Sequence, residues 1–332
     1  MERSHMRGTK LNFEGSRWAR FSRFAAVAVL LAGYFPARSL AQQAKQKSFA
    51  SAQEASAALA AAAQSNDEKA LLEILGPDGE KLVSSGDDVE DTQNRATFVQ
   101  RYQEMHRLVT EPDGTTTLYV GAQNWPLPIP LVSKSKAWYF DTAAGKKEIL
   151  YRRIGRNEIS TIRVCKQLVA AEKEYASSHG GEYAQKFLSD EGQQNGLYWK
   201  AAEGQPQSPI GPLVAQAVAE GYTPTTDGAP RTPYRGYFYR ILTRQGAAAS
   251  GGAKSYIADG KMTAGFAFVV YPAEYRSSGV MTFIVGSDGM VYRKDLGPNT
   301  VAIAKAMKSF NPDSTWRKDE DQQEESAAQK AD

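Results

Sequence analysis

Cysteine is almost missing from this chain: there is one, Cys165, among 332 residues. A single thiol excludes an internal disulfide framework and every cysteine-based zinc cluster. Histidine is nearly as scarce, with His5, His106 and His179. No nucleophile elbow of the Gly-x-Ser-x-Gly type, phosphate-cradling glycine loop, dinucleotide fingerprint or metal-binding helix occurs. No cofactor and no metal is therefore implied. Long apolar runs are lacking too. The apolar run Phe24–Phe35 has 12 residues, against about 20 for a comfortable membrane span.

What is present is an ordinary globular balance, 42% hydrophobic and 23% charged. That excludes a wholly disordered chain, a collagen and a coiled-coil rod. The length suffices for two ordinary domains.

The N-terminus reads as a secretory signal peptide over residues 1–41. A basic stretch with Arg3, Arg7, Lys10, Arg17, Arg20 and Arg23 precedes the apolar run. Ser39 and Ala41 then stand at the two positions a signal peptidase reads, with cleavage expected after Ala41. The alternative is an uncleaved N-terminal anchor. No arginine pair precedes the run, so the general secretory route is expected. No cysteine follows the cleavage site, which excludes a bacterial lipid anchor. Residues 1–41 hold seven basic and two acidic residues, and the whole chain is +3. The remainder is thus about −2. The basic balance belongs to the leader, so no nucleic-acid partner is implied. No transmembrane segment is expected after cleavage, and the protein is placed in the periplasm or outside the cell.

The remainder reads as α+β in two domains, residues 42–153 and 154–316, with a disordered tail over 317–332. Three helices come first. One covers Phe49 to Ala63, and a second, capped by Asn66 or Asp67, stops at Gly76-Pro77. The third is expected over 92–108, with Asp91 as its cap and the acids of 87–91 facing the positive helix end. A calcium loop is the alternative for those acids, but the spacing does not match. Thr115–Val120 reads as a strand. Trp125-Pro-Leu-Pro-Ile-Pro130 reads as an extended edge, because three prolines remove three ladder donors. Residues 137–140 and 147–153 read as a hairpin. The second domain opens with a helix capped by Asn157 and ended by Gly180-Gly181. Strands over 234–243, 265–271, 280–285 and 291–293 follow, then a short helix over 299–310.

Several motifs occur together and in order. They include Leu75-Gly-Pro-Asp-Gly, Trp125-Pro-Leu-Pro-Ile-Pro, Trp138-Tyr-Phe-Asp-Thr-Ala-Ala-Gly and Arg152-Arg-Ile-Gly-Arg-Asn-Glu158. Further on come Gly196-Leu-Tyr-Trp199, Pro233-Tyr-Arg-Gly-Tyr-Phe-Tyr-Arg-Ile-Leu242 and Gly279-Val-Met-Thr-Phe283. In these the chain resembles the secreted bacterial domain-of-unknown-function family 2950, over roughly residues 45–316. That resemblance implies no activity. Residues 48–153 also resemble nuclear-transport-factor-two-like domains, cone-like folds with three helices on a curved antiparallel sheet that often holds a small-molecule pocket. Residues 156–312 resemble the soluble domains of pilins and pseudopilins, a long helix on an antiparallel sheet. Here that helix begins far from the apolar run, so polymerisation by the pilin route is not expected.

Each candidate residue carries two readings. His106 is a general base in a pocket or a helix-end residue favoured by the dipole. Trp125, Trp138 and Tyr139 line a ligand pocket or simply pack a core. Arg152, Arg153, Arg156, Asn157 and Glu158 form an anion site or an inter-domain clamp. Cys165 falls on an apolar stripe and reads as a small buried hydrophobe. Without a catalytic constellation, the chain reads as a non-enzymatic envelope module binding a small molecule or an envelope protein. The alternatives are an envelope hydrolase using Asp, Glu or Tyr, and an assembly or scaffold protein.

Overall fold

A computed structural model describes residues 46–202, 204–222 and 232–319. The expected leader lies outside the described residues, as does most of the expected tail. The protein is mixed α+β. The described residues fall within one compact unit, and among them are two hydrophobic cores.

The first core begins with helix α1 (Ala52–Gln64), whose cap Ser51 accepts from the Glu54 N–H at 3.1 Å. Its alanine-rich face lets neighbouring elements approach closely. Helix α2 (Glu68–Leu75) is capped by Asp67 and stops before Gly76 and Pro77, as the sequence indicates. A 3-10 turn at Pro77–Gly79 leads into the single-turn helix α3 (Glu80–Val83).

Helix α4 (Asp88–Glu104) starts earlier than expected, and its cap is Asp87 rather than Asp91. It also ends earlier. His106–Thr110 forms strand β1 instead of a last helical turn, because it pairs antiparallel with β2 (Thr116–Val120). Cross-strand pairing of Leu108 with Leu118 and of Val109 with Thr117 outweighs the helical spacing of Tyr102, Met105 and Val109.

Strand β3 (Trp125–Pro126) pairs at the other side of β2, and the proline-rich segment leads to β4 (Leu131–Lys134). Strand β5 (Ala137–Phe140) pairs with β4 across a tight turn in which Ser135 and Lys136 have φ of 53° and 65°. Both central residues of that turn are left-handed, which matches the twist of a two-residue hairpin.

The largest correction follows β5. Residues 147–153 are helical, not the second arm of a hairpin. Asp141 caps helix α5 (Thr142–Ser178), accepting from the Ala144 N–H at 3.2 Å. The helix is 37 residues long, about 55 Å at 1.5 Å per residue. Asn157 is buried inside it rather than capping it, and the expected division after residue 153 runs through its interior. Its first part packs on the 3-10 turn and α3, and its later part on strand β12 of the second sheet, residues Met281–Gly286.

Beyond α5 and the short helix α6 (Gly211–Ala219), strand β6 (Tyr237–Leu242) enters the second sheet. Two small ribbons follow: β7 (Arg244–Gln245) with β8 (Lys254–Ser255), and β9 (Ile257–Ala258) with β10 (Lys261–Met262). Strand β11 (Ala267–Pro272) is buried along its whole length. The sheet order is β14-β13-β12-β11-β6, all antiparallel, with β13 at Val291–Asp295 and β14 at Arg317–Lys318. Helix α7 (Thr300–Ala306) packs on β11. The sequence reading begins a tail at Arg317, but Arg317–Lys318 form strand β14 against β13. Asp319 is buried there, 3.5 Å from Arg293 Nη1.

Candidate functional site

Helix α4 turns one face inward. Asp91, Asn94, Arg95, Phe98 and Arg101 recur at steps of three and four, the spacing of a single helical stripe. On α5, Ile149, Arg152, Arg153 and Arg156 do the same. The two helices meet through polar contacts near the start of α4, where Glu90 bonds Arg156 and Asn157. Helix α4 packs on α1 and the first sheet, while α5 packs on the 3-10 turn, α3 and the second sheet. Between them lies a cavity of about 410 Å³, within the range of small-molecule sites.

Its floor is apolar. Leu59 and Ala63 come from α1, Leu71 and Leu75 from α2, and Val120 from β2. Leu127 and Ile129 come from the proline-rich segment, which must stay extended and so presents alternate side chains inward. Its rim carries five guanidinium groups: Arg95, Arg101, Arg152, Arg153 and Arg156. Among the described residues Asp91 supplies the one carboxylate of the lining.

The arginines are held differently. Arg153 is buried, and its Nη1 and Nη2 donate to the carbonyls of Lys81 and Leu82, both at 2.7 Å. Burial pulls its pKa below the usual arginine value, against the raising effect of Asp91. Arg95 donates to the Val83 carbonyl at 3.0 Å and to Asn66, and pairs with Glu68 at 3.4 Å. Arg152 Nε bonds Glu148 at 2.6 Å, and its guanidinium lies 5.6 Å from the centre of the Trp125 ring. Arg156 bonds Glu90 at 2.9 Å. Arg101 is exposed and forms no side-chain ion pair or hydrogen bond among the described residues.

Asp91 is 3% exposed. Its Oδ2 accepts the Ser85 N–H at 2.7 Å, but its Oδ1 has no hydrogen-bond partner among the described residues. The nearest cation, Arg153 Nη2, stands at 3.9 Å, too far for a hydrogen bond. Burial raises the Asp91 pKa above the ordinary aspartate value, opposed by the Ser85 N–H and by Arg153.

The sequence-selected residues scatter. Trp125, Arg152, Arg153 and Arg156 line the cavity. Trp138 lies on β5 opposite Ser133, and its backbone exchanges two 2.8 Å bonds with Phe49. Tyr139 stands opposite Val132. His106 is exposed at the start of β1, stacked on Tyr102 at 3.9 Å with Nδ1 2.8 Å from the Tyr102 carbonyl. None of these three lines the cavity.

The arginine-rich cluster divides between two tasks. Asn157 Nδ2 reaches Glu90 Oε2 at 3.0 Å and the Ser278 carbonyl at 3.1 Å. Glu158 Oε1 accepts the N–H groups of Val280 and Met281, both at 3.0 Å. These two tie α5 to the second sheet, while the arginines face the cavity. Sequence reasoning missed Asp91, Arg95 and Arg101 as lining residues. Their three-and-four spacing with Phe98 is the signal that marks them as one face.

Among the described residues, no group of three or more His, Cys, Asp or Glu side chains could hold a metal ion. The single thiol, Cys165, is fully buried in the second core, and burial pushes its pKa up to about 12. It is a packed side chain rather than a nucleophile. Among the described residues the cavity lining contains no Ser, Cys or His.

Fold and site together define an α+β protein with an apolar, arginine-rimmed cavity in its first core. The chain belongs to the family described as "Protein of unknown function (DUF2950)", whose model matches residues 46–318. No curated protein and no solved structure matches it.

Proposed function

We propose that this protein is an exported, non-enzymatic module of the bacterial envelope that holds a small molecule in the cavity between α4 and α5. The observation that carries the reading is an apolar floor left uncovered between α4 and α5, which meet through the polar contacts of Glu90 with Arg156 and Asn157. Filling such a space with another apolar body is favourable at about 25 cal/mol per Å² removed from water. The likeness to nuclear-transport-factor-two-like domains supports the same reading. Export rests on the basic stretch, the short apolar run and the Ser39/Ala41 pair. Among the described residues, no helix is long and apolar enough to cross a membrane. A hydrolase has less support, because Asp91 has no second acid–base side chain beside it in the lining.

Native mass spectrometry on protein purified from its own envelope tests the reading. A small molecule should leave with the folded chain, and Ile129→Trp, which fills the floor, should empty it. A ligand retained equally by the filled variant would place the site elsewhere.

A protein partner is the second reading, and a different observation favours it. Tyr151 and Ile159 stand 68% and 62% exposed on α5. Cross-linking from position 151 in the envelope would capture a stoichiometric protein if that surface is used.

A further inference from the structure

We infer that the cavity takes an anionic amphiphile, with its chain on the apolar floor and its acidic head against Arg101 and Arg152 beside Trp125. The inference rests on the cavity reading above and names the chemical class of its ligand.

The end of the cavity is set by contacts. Arg101 lies with its stem on Gly121, and the Gly121 N–H donates to the Arg101 carbonyl at 3.0 Å. Gly121 follows Val120, whose register partner is Trp125. Arg152 covers the Trp125 ring. Arg101, Val120, Trp125 and Arg152 therefore form one end of the site.

The charge there is available. Arg152 is oriented by Glu148 through Nε alone, which leaves the Nη donors of its fork unused among the described residues. Arg101 has no acidic partner among the described residues. A guanidinium presents five N–H donors and pairs a planar carboxylate or a phosphate through two of them. Stacking on Trp125 fixes the fork before the ligand arrives, which reduces the ordering cost of binding.

At the Asp91 end the guanidinium groups are already engaged, Arg95 with Glu68 and Arg156 with Glu90. Asp91 is buried there with Oδ1 free of any hydrogen-bond partner among the described residues. The adjacent Arg153 is consumed by two carbonyls. An acidic head there would meet that carboxylate and find the arginine donors taken, which places the head at the Arg101 and Arg152 end. The carboxylate, sulfate or phosphate could belong to a free fatty acid or to a lipid headgroup. The shared chemistry is one anion on one apolar chain.

Titration calorimetry with the intact exported protein tests this, using decanoate, 1-decanol and decylammonium. Decanoate should bind one to one, decanol at least tenfold more weakly, and decylammonium more weakly again. Each methylene removed from decanoate should weaken binding about fourfold. Arg101→Gln changes an exposed side chain, so the fold survives. It should reduce decanoate affinity about tenfold and leave decanol unchanged. Decanoyl lysophosphatidate, which has the same chain length, then separates the two sources: tighter binding by the lipid assigns a headgroup, tighter binding by decanoate a free acid.

Equal binding of decanoate and decanol would overturn the inference and leave a neutral-ligand cavity. Preference for decylammonium would overturn it too. Selective decanoate binding that Arg101→Gln does not touch would overturn the placement of the head. If none of the three bound to folded protein, the cavity reading itself would fall.

Discussion

Glu172 is the residue most at odds with its surroundings. It has no exposure and sits on α5 inside the second core. Its Oε2 accepts the Ala184 N–H at 2.9 Å, while Oε1 has no hydrogen-bond partner among the described residues. Burial raises its pKa from 4.5 to about 8. The folded chain therefore keeps a proton that the unfolded chain releases. Between pH 4.5 and pH 8 stability falls as pH rises, and above that window the loss is complete. Glu172→Gln keeps an acceptor for Ala184 and carries no charge. Its advantage over the native chain should grow from near zero at pH 5 to roughly 4 kcal/mol at pH 9. Urea titrations at the two pH values check this, and an advantage independent of pH would refute it.

At this scale the sequence was legible where a side chain does what its face does. Cys165 lies on the apolar stripe of Ile162 and Leu168 and is packed in the core. Asp91 and Arg101 were not legible as cavity residues. Helical spacing marks the inner face of α4, but only the placement of α5 decides whether that face meets a core or a space.

Among the elements, α5 decides the layout. Its third turn contains Ile149 and Tyr151, residue types enriched in strands. Two things settle the helix instead: the Asp141 cap, and packing of the first turns against the proline-rich segment. Gly145 is what lets that packing happen. A Cβ there would stand 2.3 Å from the Pro128 carbonyl oxygen and 2.6 Å from the Ile129 Cα. Gly155, further along the same helix, has nothing within 4 Å of its would-be Cβ.

The two glycines therefore predict opposite signs for one substitution. Gly155→Ala should stabilise by about 0.8–1 kcal/mol, the difference in helix propensity. Gly145→Ala should destabilise by roughly 1–3 kcal/mol, because backbone must move. Thermal melts of the pair decide it, and a gain at position 145 would mean that α5 does not sit on Pro128 as described. The same contrast explains what the pattern could not reveal. Capping and stop residues are local, so Asp67 and Gly76-Pro77 were readable. The choice between helix and strand at 147–153 depended on a segment some twenty positions earlier.

For the whole molecule, the question is how two cores behave as one. The join is a buried polar network at the middle of α5. Asp87, with no exposure, accepts from the Glu90 N–H at 3.1 Å, the Tyr222 hydroxyl at 2.9 Å and the Gly236 N–H at 2.7 Å. Glu90 holds Arg156 and Asn157, and Asn157 continues to the Ser278 carbonyl. Lys81 Nζ reaches the Tyr275 carbonyl at 3.1 Å, and the Ser277 hydroxyl reaches that of Lys81 at 3.2 Å. This explains why the middle of α5 buries Arg153, Asn157 and Ser160, the last accepting from Arg235 Nη1 at 2.9 Å, rather than aliphatic residues.

Such a network is strong only while every member is satisfied. Asp87→Ala removes one acceptor and strands two buried donors from the second half, at roughly 1–3 kcal/mol each. The native chain should therefore unfold in one transition, with far-ultraviolet dichroism and tryptophan fluorescence coincident. Trp125 and Trp138 report on the first core, and Trp199 and Trp316 on the second. In Asp87→Ala the two signals should separate, with one core melting before the other. Because Asp87 also caps α4, the cavity should loosen with it, and decanoate binding should weaken although Asp87 does not line the site. Two separate transitions in the native chain would show that the network joins the cores without coupling them.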